Sequence, residues 1–124
     1  MEEIITRLEN LRDDCSNLAQ RMKKELFNLV NSTVGGKINC DKEDCDWIFG
    51  ITYDESEEQY REFRIVEVFT RGVNLYVKGY FMIPRSLTQD REEQLEFAIT
   101  GGLTYDIPTL YALCEYLPQY LVVE

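Results

Sequence analysis

Val73-Asn74-Leu75-Tyr76-Val77-Lys78-Gly79-Tyr80-Phe81-Met82-Ile83 alternates apolar and amphipathic residues along its whole length. Successive side chains of a strand point to opposite faces of its sheet. One face then holds Val73, Leu75, Val77, Phe81 and Ile83 around Gly79, and the other holds Asn74, Tyr76, Lys78, Tyr80 and Met82. The first face is core and demands a cover. The second is tyrosine-rich and is either half exposed or covered by the C-terminal segment.

The flanking residues supply the rest of a sheet. Residues 46–53 are aromatic and β-branched and run into the acidic turn Asp54-Glu55-Ser56-Glu57-Glu58. Residues 60–71 form a second, longer strand. Gly72 with Asn74 makes a tight turn into the third, which Pro84 closes because proline cannot continue a ladder. In residues 94–100, Leu95, Phe97 and Ile99 alternate with Glu96 and Ala98, which predicts a fourth strand; Thr88 as the cap of a short helix is the alternative. The order is that of an antiparallel meander.

The cover lies at the start of the chain. Ile4, Leu8, Leu11, Cys15, Leu18, Met22, Leu26 and Leu29 recur every three or four residues, placing one apolar stripe on a helix over 2–31. Glu2 and Glu3 suit its first turn, and Gly35-Gly36 suit its end. At 1.5 Å per residue such a helix is about 45 Å long, whereas a compact domain of this chain length is roughly 35 Å across. It must overhang the sheet, break, or meet a second molecule. The expectation is a helix lying across one sheet face, with Leu8, Leu11, Leu18 and Met22 as the seam if two copies associate. Near the other end, Asp106 is a candidate N-cap and Pro108 falls in the first turn, so a helix over 106–117 should stop at Pro118. Its apolar side is Leu110, Leu113, Cys114 and Leu117. The predicted fold is α+β in one domain of 124 residues: a long N-terminal helix packed on a four-stranded antiparallel β-meander, with a short C-terminal helix.

Charge and composition narrow the function. The net charge of −10 opposes direct nucleic-acid binding, which needs clustered Lys and Arg. Residues 35–59 hold eight acids against two bases. The opening residues do not resemble a signal peptide, and no apolar run approaches the roughly 18 residues of a membrane span. A cytoplasmic protein without membrane contact is expected. The chain has no histidine, which removes Ser-His and Cys-His nucleophile pairs and the commonest general base and metal ligand. Without a secretory signal, the four cysteines read as free thiols, with Cys15 and Cys114 as small core residues.

No motif names a reaction. Cys40 and Cys45 bracket a turn carrying Asp41, Glu43 and Asp44, but a structural zinc site wants four Cys or His ligands. Asp90, Glu92 and Glu93, like 54–58, read as solvated loop carboxylates. Gly35-Gly36 comes after a helix rather than before one, and Gly101-Gly102, read as a turn, lacks the remaining glycines and the lysine of a phosphate loop. Accordingly no catalytic residue, metal or cofactor is assigned.

Two surfaces point to a protein partner. One is the acidic array Asp41, Glu43, Asp44, Asp54, Glu55, Glu57 and Glu58, which could fill a basic groove as a phosphate backbone does. The other is a tyrosine face of Tyr53, Tyr60, Tyr76 and Tyr80. The leading expectation is a non-catalytic protein-binding module, an acidic inhibitor or adaptor of the phage anti-defence or immunity type, acting on a basic partner. A homodimer joined through the first helix, structural or chaperone-like, is the second reading. The third is a small ligand-binding domain or enzyme with a Tyr/carboxylate pocket between the sheet and the C-terminal helix.

Overall fold

The computed structural model describes residues 1–82, 94–99 and 104–121. Expectations for Ile83 and Pro84, for the loop 85–93 with its Thr88 cap, and for the Gly101-Gly102 turn lie outside the described residues.

The architecture is the predicted α+β one. Helix α1 spans Glu2–Asn31, strands β1 to β5 span Lys37–Asn39, Ile48–Asp54, Gln59–Arg71, Asn74–Phe81 and Leu95–Ala98, and helix α2 spans Asp106–Tyr116. Every pairing is antiparallel. From β2 to β5 the strands follow chain order, as a meander should. The sheet has a fifth strand not expected from the sequence, the three-residue β1. Both β1 and β2 pair along the same edge of β3, β1 with Val68 and its neighbours and β2 with Gln59 to Ile65. That shared edge explains why β3 needs thirteen residues. Its register shifts between Ile65 and Glu67, so Val66 is an extra residue opposite β4.

The alternation in residues 73–83 sorts largely as expected. Leu75, Val77 and Phe81 are buried with Phe63, Ile65 and Val68 from β3, Ile48 from β2 and Phe97 from β5. Val73 is the exception. It sits 86% exposed in the turn beside Gly72, whose φ of 63° carries the chain from β3 into β4. Gly79 is needed where it stands, because a Cβ there would run into the Arg64 carbonyl oxygen.

Only part of α1 covers this face. Ala19, Leu26 and Val30 are its buried residues, and everything from Met1 to Leu18 is exposed. Of the three outcomes its length allowed, the helix overhangs. Leu8, Leu11 and Leu18 are exposed and Met22 is half-buried against the core. Cys15 is also exposed, so its reading as a core residue is corrected by the overhang.

The remaining cover is α2 with the 3-10 turn Leu117–Leu121, which bury Leu110, Leu113, Leu117 and Tyr120. Cys114 is exposed, because the buried row runs through 110, 113 and 117 and leaves 114 one step outside. Asp106 is the first residue of α2 rather than its cap, and its carboxylate pairs with Lys23 of α1 at 2.9 Å. The helix is locked to the edge of β2 by two backbone N–H donors, one reaching a carbonyl and the other a side-chain hydroxyl oxygen. Tyr105 N–H donates to the Ile51 carbonyl at 2.8 Å, and Ile51 N–H donates to Thr109 Oγ1 at 3.1 Å. Gly50 permits this approach: a Cβ there would lie 2.7 Å from the Phe63 ring and 3.0 Å from Thr109 Cγ2.

Candidate functional site: an acidic and aromatic groove

The open face of the sheet is organised by one buried cation. Arg64 on β3 is 3% exposed, and an arginine cannot shed its charge. Its Nη2 donates to Asp41 Oδ1 at 2.6 Å and its Nη1 to the Tyr80 hydroxyl at 2.9 Å. The guanidinium carbon lies 3.8 Å from the centre of the Trp47 ring, a stacked cation–π contact. Its Nε has no hydrogen-bond partner. Three groups thus hold Arg64, and Arg64 in turn helps to fix the plane of Trp47.

Trp47 also lines a groove between β2–β3 and α2. Asp46, Trp47 and Phe49 line one wall, Glu62 of β3 adds to it, and Tyr111, Ala112, Glu115 and Tyr116 of α2 form the other. The groove is open and encloses about 640 Å³. Its walls have simple origins. Phe49 and Glu62 fall on the outward face of the sheet by alternation from buried Ile48 and Phe63. Tyr111 with Glu115, and Ala112 with Tyr116, are i,i+4 neighbours on α2. Asp46 is held in place: Gln119 Nε2 donates to Asp46 Oδ2 at 3.2 Å, Asp46 N–H donates to Gln119 Oε1 at 3.1 Å, and the Tyr120 hydroxyl donates to the Asp46 carbonyl at 2.6 Å. Burial pushes the Tyr120 hydroxyl up to about 12, so it remains a donor at neutral pH. Four aromatic rings and three carboxylates therefore face one space, with no base among the lining residues. A cation is the chemical complement of such a lining.

The residues singled out in the sequence are placed in several different spots. The acidic array does not form one surface. Asp41, Glu43 and Asp44 precede β2, whereas Asp54 ends it and Glu55, Glu57 and Glu58 follow, about 20 Å away along a strand of this length. Two of the seven are occupied internally. Asp41 holds Arg64, and buried Asp54 pairs with Arg61 at 2.6 Å while accepting the Ser56 hydroxyl at 2.8 Å. The Arg61 hydrogen bond, seconded by Ser56, lowers the Asp54 carboxyl below its ordinary value. Glu43, Asp44, Glu55, Glu57 and Glu58 are exposed.

The tyrosine face divides too. Tyr53 and Tyr60 meet edge to face at 5.3 Å, and Tyr105 extends the cluster at 5.9 Å from Tyr60. Tyr76 lies toward the other end of β3, stacked on Phe69 at 5.4 Å and crossed by Arg71. Tyr80 is buried, its hydroxyl taken by Arg64, and so is removed from any exposed face. Cys40 is buried and Cys45 half-buried, both as free thiols, and burial pushes Cys40 up to about 12. Among the described residues no group of three or more His, Cys, Asp or Glu side chains is placed to hold a metal ion, and no helix is long and apolar enough to cross a membrane.

Sequence reading missed Trp47, Phe49, Glu62, Tyr111, Glu115 and Tyr116 as one group. A signal existed in part: Tyr111, Glu115 and Tyr116 fall outside the apolar side of α2. Nothing local says that this flank of α2 faces β2.

Comparison with protein-family models, with curated proteins and with solved structures finds no match for this chain.

Proposed function

We propose that the chain is a non-catalytic protein-binding module, an acidic adaptor or inhibitor that takes a basic partner. The contact we assign to that partner is a lysine or arginine side chain seated in the groove between β2–β3 and α2. One observation carries this reading: Trp47, Phe49, Tyr111 and Tyr116 share a space with Asp46, Glu62 and Glu115, and no base lines it. Aromatic faces attract a cation through their quadrupole, and carboxylates at the rim neutralise its charge. Arg64 stacked over Trp47 is an internal example of the same recognition. The exposed acids Glu43 and Asp44 adjoin this end of β2 and add to the field that draws a basic partner in. The groove also coincides with the place expected for a Tyr/carboxylate ligand pocket, so a free small cation is the second reading.

The chain has a single tryptophan, which makes the test direct. Trp47 emission is titrated with oligo-lysine, with oligo-glutamate and with free trimethyllysine, at low and at high salt. The proposal expects a saturable change with oligo-lysine that weakens as salt rises, and none with oligo-glutamate. Replacing Glu62 and Glu115 by Gln should weaken it about tenfold, whereas replacing Glu55, Glu57 and Glu58 by Gln should not. A response to trimethyllysine alone would transfer the groove to the small-cation reading. No response to any cation, or a response unchanged by Glu62→Gln with Glu115→Gln, would remove the groove from the account.

A further inference from the structure

The exposed half of α1 carries a seam of its own, independent of the groove. Between Ile4 and Met22 the apolar residues Ile4, Leu8, Leu11, Cys15, Leu18 and Met22 are spaced four, three, four, three and four apart. That is the alternating core pattern of a two-stranded coiled coil, with a strict seven-residue repeat. Ile4, Leu8, Leu11 and Leu18 are each more than half exposed, and within the chain nothing among the described residues covers them. A contiguous apolar row of this length on a solvated helix marks an association surface.

The charges beside the row select its partner. In a parallel pair of identical helices, Arg7 would face Arg12 of the second copy. In an antiparallel pair centred on residue 13, Arg12 would face Arg12 and Asp14 would face Asp14, and the second helix would run over Met22, which already packs against the core. Centred instead between residues 9 and 10, the antiparallel pair stacks Leu8 on Leu11 and Ile4 on Cys15. It then sets Arg7 beside Asp14 on one flank, twice by symmetry, and lays the stem of Arg12 over Ile5 on the other. Of these three arrangements only the last replaces like charges by opposite ones. The first turn of the incoming helix then reaches the level of Cys15 and Ser16. There α1 and the start of α2, at Ile107, enclose a groove of about 470 Å³ whose surface is mostly apolar. The groove adjoins the seam at Cys15, on the flank that carries Arg12 and Ala19.

We propose that α1 pairs with α1 of a second copy of this chain, antiparallel and centred between residues 9 and 10, so that two bodies stand at opposite ends of a helical pair. Sedimentation equilibrium over a concentration series reads the association. Arg7→Asp should weaken the dimer about tenfold, and Asp14→Arg in the same chain should restore it. Both positions are exposed, and far-UV circular dichroism of each variant confirms that the fold is intact. Register is read separately: in a Cys114→Ser background, Ile4→Cys oxidised under mild conditions should give a 4-to-15 disulfide between chains, identified by mass spectrometry. The pairing is overturned by a wild type that stays monomeric at its highest soluble concentration, by a dimer indifferent to the Arg7 and Asp14 exchange, or by oxidation that joins Cys15 to Cys15. Capture of a different protein on the same stripe, with the chain itself monomeric, overturns it as well.

Discussion

The two halves of α1 share one apolar pattern and meet opposite fates. From Ala19 onward the helix rests on β3 and β4, buries Leu26 and Val30, and ties itself to α2 through Lys23 and Asp106. Before Ala19 the same rhythm faces water. The difference is not in the residues. β4, with eight residues, is far shorter than the thirty-residue helix, so geometry, not hydrophobicity, ends the contact. An amphipathic stripe therefore says that a helix has a partner without saying whether the partner is in the same chain.

The sharpest way to break the comparison is to remove a leucine from each half. Leu26→Ala takes a side chain from the packed core and should cost about 3 kcal/mol. Leu8→Ala removes the same atoms from an exposed site and should change unfolding at high dilution by less than about 0.5 kcal/mol. Urea unfolding followed by circular dichroism measures both. Equal losses would mean that residues 1–18 belong to the cooperative core after all.

The second contrast uses the thiols. Cys40 in the body is pushed up to about 12 by burial. The folded state therefore holds its proton while the unfolded state, with a thiol near 9.0, releases it. Above that value the unfolded chain binds fewer protons, so stability falls as pH rises from about 9 and continues to fall until the folded thiol itself ionises. The loss should reach about 2 kcal/mol by pH 10.5 from this group. Tyr120, raised for the same reason, adds a smaller share above 10. Cys40→Ala should flatten the first part of that decline. A thiol reagent at neutral pH and high dilution, where the chain is monomeric, gives the matching kinetic result: Cys15 and Cys114 label quickly and Cys40 slowly.

The fold was legible where the pattern was local and long. The alternation of residues 73–83 and the eight-member stripe of α1 placed a sheet, its core face and its cover. β1 was not legible, because three residues with one buried Ile38 carry no period. Nor was the exposure of Cys15 and Cys114, which depends on where the sheet ends and on how α2 is rotated. The site was legible in character and not in place. Acidity and exposed aromatics were plain from composition, but the array in 41–58 is divided by a seven-residue strand, and two of its members are drawn inward by Arg61 and Arg64. A buried arginine on an outward-facing strand position is not visible in any single-strand pattern. It needs Asp41, Tyr80 and Trp47, which come together only in three dimensions.

The smallest effect separates exposure from freedom. Glu58 is as exposed as the arm residues, yet its backbone is held at φ 54°, in the left-handed region that a side chain disfavours. It closes the turn from Asp54 into Gln59, where β2 pairs with β3. Glu58→Gly relieves that conformation and should stabilise the body by about 0.5–1 kcal/mol, a rise of a few degrees in Tm. The same change in the arm, Thr6→Gly, places glycine in ordinary helix. There it should loosen the local turn, lowering helicity by circular dichroism, and leave the global melting temperature where it was. If Glu58→Gly lowered Tm, the turn would owe its shape to the glutamate side chain rather than suffering it. If Thr6→Gly lowered Tm in proportion to protein concentration, the arm would be contributing through a second molecule, and the difference between the two halves of α1 would be one of partner and not of order.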